Sequence, residues 1–579
     1  MKSRINFVLK LNYSLLQIKN FFYPLLILIY LTYCINSTAQ VTLSLDSQVR
    51  TISSRLIGYN GRSTEGPSWS DQNFLKLVEQ LNPGMVRYPA GTQANYWDWR
   101  TGNFIVGSGK LSEFVYTIDL FTQGLPDSTG IVYVVNMARP TPSTGISINA
   151  PESVLKSDNT LQLKITDMLA ALNKFKQTGR FPEAIELGNE FYFTNEHAAI
   201  YAGDPELYLD HSKKICQAVK AKYPDLKILL CTTKGGTASR DYWNNTVFSR
   251  LSDDPVFAGM IAGVVQHHYI SDNYGDPDLV LNNTDAQKAI AEAFQYVGES
   301  VSDYNLVPQQ FPIWLTEYGA TKPNADGMWA AGLRSVAMTM ACINLGIKIN
   351  RLFYHHITND PDILNKSKLL KGPSGISMAL LAKCLNGKSL MRKINISNNI
   401  TVTGNVNALH AFKSWNSQEE SVFILNISSQ SFNNVGISDL FAFKGQKNAS
   451  TRYSLTPYLN PVYEGNGVTE NNYVTGELID LKPFSINLIT VKNTTKTSFF
   501  SENIAIYPTT FNSFFIVDVP AEEQELKLKI ISKFGQTVHS SDLNHGENII
   551  TPVLPACVYF CCIENKKEVI TKIIICLRD

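Results

Sequence analysis

From about residue 50 to residue 385, short apolar runs alternate with longer stretches of helical spacing. The runs are 55–60, 85–88, 131–136, 184–187, 228–231, 264–269, 313–316 and 349–354. Each is nearly continuous in Val, Ile, Leu and aromatic residues, the pattern of parallel strands covered on both faces. Between them, Phe74, Leu77, Val78 and Leu81 recur on one helical face, as do Leu161, Ile165, Met168, Leu172 and Phe175. Met328 to Leu345 is an apolar helix with Gly346 as its C-cap, and Met378 to Leu385 is a last helix before Gly387. Eight strand–helix units predict a (β/α)8 TIM barrel over 41–387, with a doubly wound open sheet as the alternative.

After Gly387 the period shortens to two. Asn399–Thr403, Ser421–Leu425 and Ser485–Val491 alternate between Asn, Gly and Ser breaks, which predicts an antiparallel β-sandwich over 388–493. Val41–Leu45 precedes the first barrel strand, and residues 41–48 are available to that sandwich as an extra strand. Residues 494–501 read as a linker and 502–579 as a small all-β domain, with runs at 506–508, 514–517, 526–530, 558–560 and 570–575.

The N-terminus changes the picture of where the protein works. Lys2, Arg4, Lys10 and Lys19 precede the apolar stretch Phe21–Tyr33 and the small-residue segment Ser37–Gln40. That order predicts a signal peptide over 1–40 and an exported chain with no stable membrane span after cleavage. A net charge of +1 gives no field to steer nucleic acid, and no phosphate-cradling glycine loop is present. Of nine cysteines, Cys216, Cys231, Cys342 and Cys384 sit among apolar neighbours. Cys557, Cys561, Cys562 and Cys576 crowd the end, where an exported protein can pair them.

The chemistry concentrates at the ends of two runs. Glu190 follows Glu183-Ala-Ile-Glu-Leu-Gly-Asn, and Glu317 follows Pro312-Ile-Trp-Leu-Thr. All strand C-termini of a barrel open on one face, so the two carboxyls can meet there. A carboxylic acid and a carboxylate flanking one anomeric carbon cleave a glycosidic bond. Glu186, one alternation earlier, reads as paired inside the barrel, and Glu183 as a solvated strand start. His267 and His268 point to opposite faces of a regular strand, one toward the mouth. Adjacent histidines diverge, so these and His355-His356 predict no metal site. Arg87 near the mouth holds a nucleophile carboxylate, a substrate acid or a structural ion pair. Tyr96, Trp97 and Trp99 form either a stacking floor for sugar rings or loop packing.

Leu187-Gly-Asn-Glu190 and Leu315-Thr-Glu317 resemble the motifs of clan A retaining glycoside hydrolases. The resemblance implies that Glu190 is the acid/base and Glu317 the nucleophile, that Asn189 bonds the sugar hydroxyl beside the anomeric centre, and that Tyr269 orients the nucleophile. It also implies a glycan substrate and no cofactor. Arg87-Tyr-Pro-Ala-Gly91 with Tyr96-Trp-Asp-Trp99 resembles the second-strand region of α-L-arabinofuranosidases, while Glu-Leu-Gly-Asn-Glu and His-His-Tyr are also similar to the heparanase and β-glucuronidase family. Ala90, Tyr318 and Gly319 depart from the arabinofuranosidase pattern. The tail motifs Ile506-Tyr-Pro508, Lys533-Phe-Gly535 and Leu554–Tyr559 resemble the sorting domain of type IX secretion substrates, with Thr509 for an Asn and Cys557 for a Gly. This implies the type IX machinery as a partner and a secreted or cell-surface location. The sequence expectation is therefore a retaining glycoside hydrolase. The alternatives are a catalytically inactive carbohydrate-binding surface protein of the same fold and a structural adhesin.

Overall fold

The computed structural model describes residues 40–61, 67–105, 116–194, 196–270, 280–319, 327–345, 349–355, 357–358, 363–365, 369–443, 445–459, 461–475, 477–493, 504–507, 510–511, 513–519, 526–544, 546–564 and 569–576. The segments read from sequence as a signal peptide (up to residue 39) and a linker (494–501) lie outside the described residues, as do Cys34, Gly346, His356 and Pro508–Thr509.

Eight parallel strands close into a barrel: β1 (Ile57–Asn60), β2 (Met85–Tyr88), β3 (Gly130–Val135), β4 (Ala184–Leu187), β5 (Lys227–Cys231), β6 (Gly263–Tyr269), β7 (Ile313–Gly319) and β8 (Ile349–Tyr354). Leu352, Phe353 and Tyr354 of β8 pair with Ile57, Gly58 and Tyr59 of β1, which excludes the open-sheet alternative. The helices between and after them are α1 (Gln72–Gln80), α2 (Ile118–Gly124), α3 (Asp158–Gln177), α4 (Pro205–Lys222), α5 (Ala238–Asp253), α6 (Asn283–Glu299), α7 (Trp329–Asn344) and α8 (Pro373–Leu385). Side-chain oxygens of Asp71, Thr117, Ser157, Asp204, Thr237 and Asn282 cap the first six on N–H groups the helix leaves open.

The barrel interior is layered. Met85, Val132, Ala184, Leu229, Val265, Trp314 and Phe353, one from each of β2 to β8, fill its lower part. The remaining strand contributes Gly58, where a Cβ would lie 2.9 Å from the Phe353 ring. Two residues further along β2 and β4, alternation turns Arg87 and Glu186 into the same interior. The apolar floor thus supports a polar layer below the C-terminal mouth.

A second sheet runs Thr42–Leu45, β9 (Leu390–Ser397), β10 (Leu409–Trp415), β11 (Glu419–Asn426), β14 (Ser485–Lys492), β12 (Lys447–Tyr453) and β13 (Thr469–Thr475), with Arg50–Thr51 also on β9. Phe432–Gly436 pairs with Leu478–Leu481 across a core that includes Leu43, Ile394, Ile424, Val435 and Ile479. The strand before the barrel does join the sandwich: Thr42 pairs with Ser397 and Leu45 with Ile394. The opposite face, carrying Phe412 and Phe423, merges with the barrel's helical core. Helix α7 is buried on every side, which explains its continuous apolar sequence, and the Trp329 indole N–H donates to the Phe484 carbonyl at 2.7 Å.

The C-terminal unit has its own core around Phe515, Val517, Leu528, Ile530, Ile563 and Ile574. Its strands form a three-stranded and a five-stranded sheet. Cys557 and Cys576 are register partners there, and the described cysteines are all free thiols. No helix among the described residues is long and apolar enough to cross a membrane.

Candidate active site

The two glutamates arrive by different local routes. Glu190 lies just past β4, in the turn Gly188-Asn189-Glu190. Gly188 has φ +77° and Glu190 φ +55°. A Cβ at Gly188 would stand 1.9 Å from the Phe191 ring, so the turn needs glycine there. Glu190 holds a left-handed conformation that costs a non-glycine residue about 1–3 kcal/mol. Glu317 instead sits inside β7, which runs on to Gly319 beyond the apolar run read from sequence. The pairing of β6 with β7 slips between Gln266 and His267, and that bulge sets His267 opposite Glu317.

The carboxyls do converge. His267 Nδ1 is 2.9 Å from Glu190 Oε1 and 3.6 Å from Glu317 Oε2. One carboxylate oxygen of each glutamate and a ring nitrogen of His267 all lie within 4.8 Å of one another. That spacing alone would admit a cation, but the Glu317 carboxylate already faces a guanidinium. Arg87 Nη1 donates to Glu317 Oε1 at 2.6 Å, while Nε and Nη2 grip Glu186 at 2.8 and 2.5 Å. Nη2 also donates to Asn189 Oδ1 at 2.7 Å. Arg87 and Glu186 are fully buried, so Arg87 forms an interior ion pair and holds the Glu317 carboxylate as well. It has no exposed surface for a substrate acid.

Tyr269 donates to Glu317 Oε2 at 2.5 Å, and Asn60 Nδ2 to Oε1 at 3.2 Å. His355 Nε2 stands 3.7 Å from Oε2. Burial alone would raise the Glu317 pKa, but His267, Arg87, His355 and the Tyr269 hydroxyl together hold it well below the usual carboxylate range. Burial would lower the His267 pKa, yet the charge of Glu317 and the bond to Glu190 raise it. Glu190 has a different environment. It accepts from Tyr192 at 2.9 Å and shares a hydrogen bond with His267 Nδ1, and no arginine among the described residues pairs with it.

Two buried polar atoms in this polar layer have no partner among the described residues: Asn60 Oδ1 and Asn189 Nδ2. An acceptor and a donor stand ready for hydroxyl groups. Asn189 is held by Arg87 at its side chain and by Asn95, whose Nδ2 donates to its carbonyl at 2.9 Å. A Cβ at Gly91 would lie 1.9 Å from Glu317 Oε1, so the glycine lets the β2 loop approach the carboxylate.

His267 faces the mouth, and His268 faces the helices beside Ser300, Tyr296 and Tyr304. Trp97 and Trp99 are corrections. Trp97 is 2 % exposed and packs edge-on against Tyr88 and Phe104 in the core. The Trp99 ring is covered by the Arg100 guanidinium at 4.2 Å, and its N–H donates to Asp167. Trp97 therefore offers no face to a sugar, and one face of Trp99 is occupied. Glu183 is also corrected: it is no solvated strand start but the centre of ion pairs with Arg55, Lys227 and Arg351. Sequence reasoning missed Asn60, Gly91, Asn95, Tyr192 and the role of His355. Of these only Asn60 left a signal, as the polar end of an apolar strand.

The tail has a family match. Residues 505–576 match the secretion system C-terminal sorting domain. No curated protein sequence is significantly similar to the chain. Among solved structures the fold is similar to the family 51 α-L-arabinofuranosidase of Bifidobacterium longum, at 15% identity and TM-score 0.55, over 78% of this chain and 99% of that one. It is similar to the family 51 arabinofuranosidase of Xanthomonas axonopodis pv. citri, at 13% identity and TM-score 0.57, over 78% and 99%. A family 44 endoglucanase of Clostridium acetobutylicum is similar at 11% identity and TM-score 0.50, over 78% and 100%. These likenesses concern the fold alone: a parallel (β/α)8 barrel with an antiparallel β-sandwich.

Proposed function

We propose that the barrel is a retaining glycoside hydrolase that works by double displacement. The observation that carries this reading is the pair of carboxylates, with oxygens within 4.8 Å of each other and unlike surroundings. Retaining enzymes keep their two carboxyl groups about 5–5.5 Å apart, whereas inverting ones leave room for a water. Glu317, kept ionised by Arg87, His267 and Tyr269, attacks the anomeric carbon. The proton shared between Glu190 Oε1 and His267 Nδ1 goes to the leaving oxygen. Glu190 then takes a proton from a water whose oxygen attacks the anomeric carbon, and the bond from that carbon to Glu317 breaks to release the sugar. Asn189 Nδ2 and Asn60 Oδ1 bond sugar hydroxyls. The cycle uses no cofactor. The tail match supports export through the type IX machinery to the surface or beyond, where glycans are met, and the N-terminal segment serves as the signal peptide.

Chromogenic monosaccharides and plant or algal glycans, with the product anomer followed by NMR, test this. The first-formed sugar should keep the configuration of the substrate, and Glu317→Gln should abolish turnover with unchanged circular dichroism. An inverted product, or full activity in Glu317→Gln, rejects the assignment.

A further inference from the structure

We propose that the leaving-group side of the cleft selects a sugar bearing an anion, a carboxylate or a sulfate, and that Arg240 reads it. This rests on Glu190 as the proton donor. Arg240 lies in the first turn of α5, at the strand ends of the barrel. Its guanidinium carbon stands 5.6 Å from the Tyr192 ring centre and 5.4 Å from that of Phe193. The hydroxyl of the same Tyr192 donates to Glu190 at 2.9 Å. The Tyr192 ring therefore lies between the proton donor and the arginine. A proton donor stands beside the leaving oxygen, so Arg240 lies on the side of the departing sugar.

Neither an ion pair nor the helix dipole explains the charge of the arginine. A cation in the first turn opposes the helix dipole, where an acid is favoured. Arg100 pairs with Asp167, and Arg250 with Glu206 and Asp210. Arg240 is half-buried and has no carboxylate partner among the described residues. Tyr192 is buried and the guanidinium lies over both rings, so the aromatics hold the arginine in place and its outward N–H fork is left for the oxygens of an anion on the departing sugar. The helix N-terminus adds positive potential from the same side. The chain's net charge of +1 supplies no long-range attraction, so the recognition is local.

Two substrate pairs test the proposal: a pectic polysaccharide against its carboxyl-reduced form, and a sulfated galactan against its desulfated form. The full-length protein should act at least tenfold faster, as kcat/KM, on the anionic member of one pair, which also tells carboxylate from sulfate. In Arg240→Gln that ratio should fall to near one, and Arg240→Lys should restore part of it. Equal rates on both members of each pair, or an unchanged ratio in Arg240→Gln, overturn the proposal. If chromogenic glycosides are still cleaved in that case, the two-carboxylate reading stands without it. If no glycoside of any kind is cleaved, both fall, because no leaving group then sits beside Tyr192.

Discussion

At the scale of single residues, Glu317 is defined by what surrounds it. Its depressed pKa means that it contributes stability above the unfolded carboxylate pKa of about 4.3, which is lost only as pH falls through the lower folded value. Removing the Tyr269 hydroxyl should therefore raise the Glu317 pKa. We expect the acid limb of kcat/KM in Tyr269→Phe to move to higher pH, read from a pH–rate profile; an unmoved limb would show that Tyr269 does not act on the nucleophile. Gly91→Ala places a Cβ where the carboxylate oxygen now is, 1.9 Å away. Misplacement of a reacting group by an ångström costs on the order of 100-fold, so kcat should fall about that much. Arg87→Met leaves Glu186 and Glu317 buried without their counter-charge. Breaking such a network costs about 3–5 kcal/mol, measurable by denaturant unfolding. Glu190, Glu317, His267 and Arg87 stood out in the sequence because each ends or interrupts an apolar run, whereas Asn189 and Tyr269 came from the resemblance to clan A glycoside hydrolases. The sequence left Trp97 and Trp99 open between stacking and packing because an aromatic in a loop looks alike whether it faces a ligand or a neighbouring ring. Tyr192 left no mark, since its importance comes from a turn geometry that no residue spacing records.

At the scale of elements, the strands were the most legible part. Near-continuous apolar runs have few alternatives to a covered parallel strand, and their positions match β1 to β8 within a few residues. Helices α1, α3 and α7 were visible from their apolar periods, whereas α8 begins earlier than its apolar stretch because Pro373 opens the first turn. The slip between Gln266 and His267 was not legible, as both registers keep apolar residues inside. The base of the barrel carries a second testable feature. Glu183 joins Arg55, Lys227 and Arg351 across β4, β5 and β8, far from the mouth by topology. Burial would raise its pKa, but Lys227, Arg351 and Arg55 lower it, so its contribution exists above the ordinary carboxylate pKa and fades as pH falls through the folded value. Glu183→Gln should cost about 1 kcal/mol at neutral pH in these partly exposed pairs, with kcat/KM unchanged and the deficit shrinking under acid conditions.

At the scale of the whole molecule, the barrel and sandwich share one core while the tail closes its own. A chain that ends at residue 493 should therefore unfold cooperatively and keep its kcat/KM, as scanning calorimetry and chromogenic assays would show. Loss of folding on truncation would contradict the separate cores. The same division explains why fold and function were unequally legible: layers follow from hydrophobic period, but substrate follows from a few polar atoms at the mouth.

The most direct test of the central assignment is covalent trapping. The protein would be incubated with 2-deoxy-2-fluoro glycosyl fluorides of the sugar it releases, digested, and mapped by mass spectrometry. The account predicts a single glycosyl adduct on Glu317, absent from Glu317→Gln. An adduct on Glu190 instead, or turnover of true substrates with no adduct and an inverted product, would contradict it.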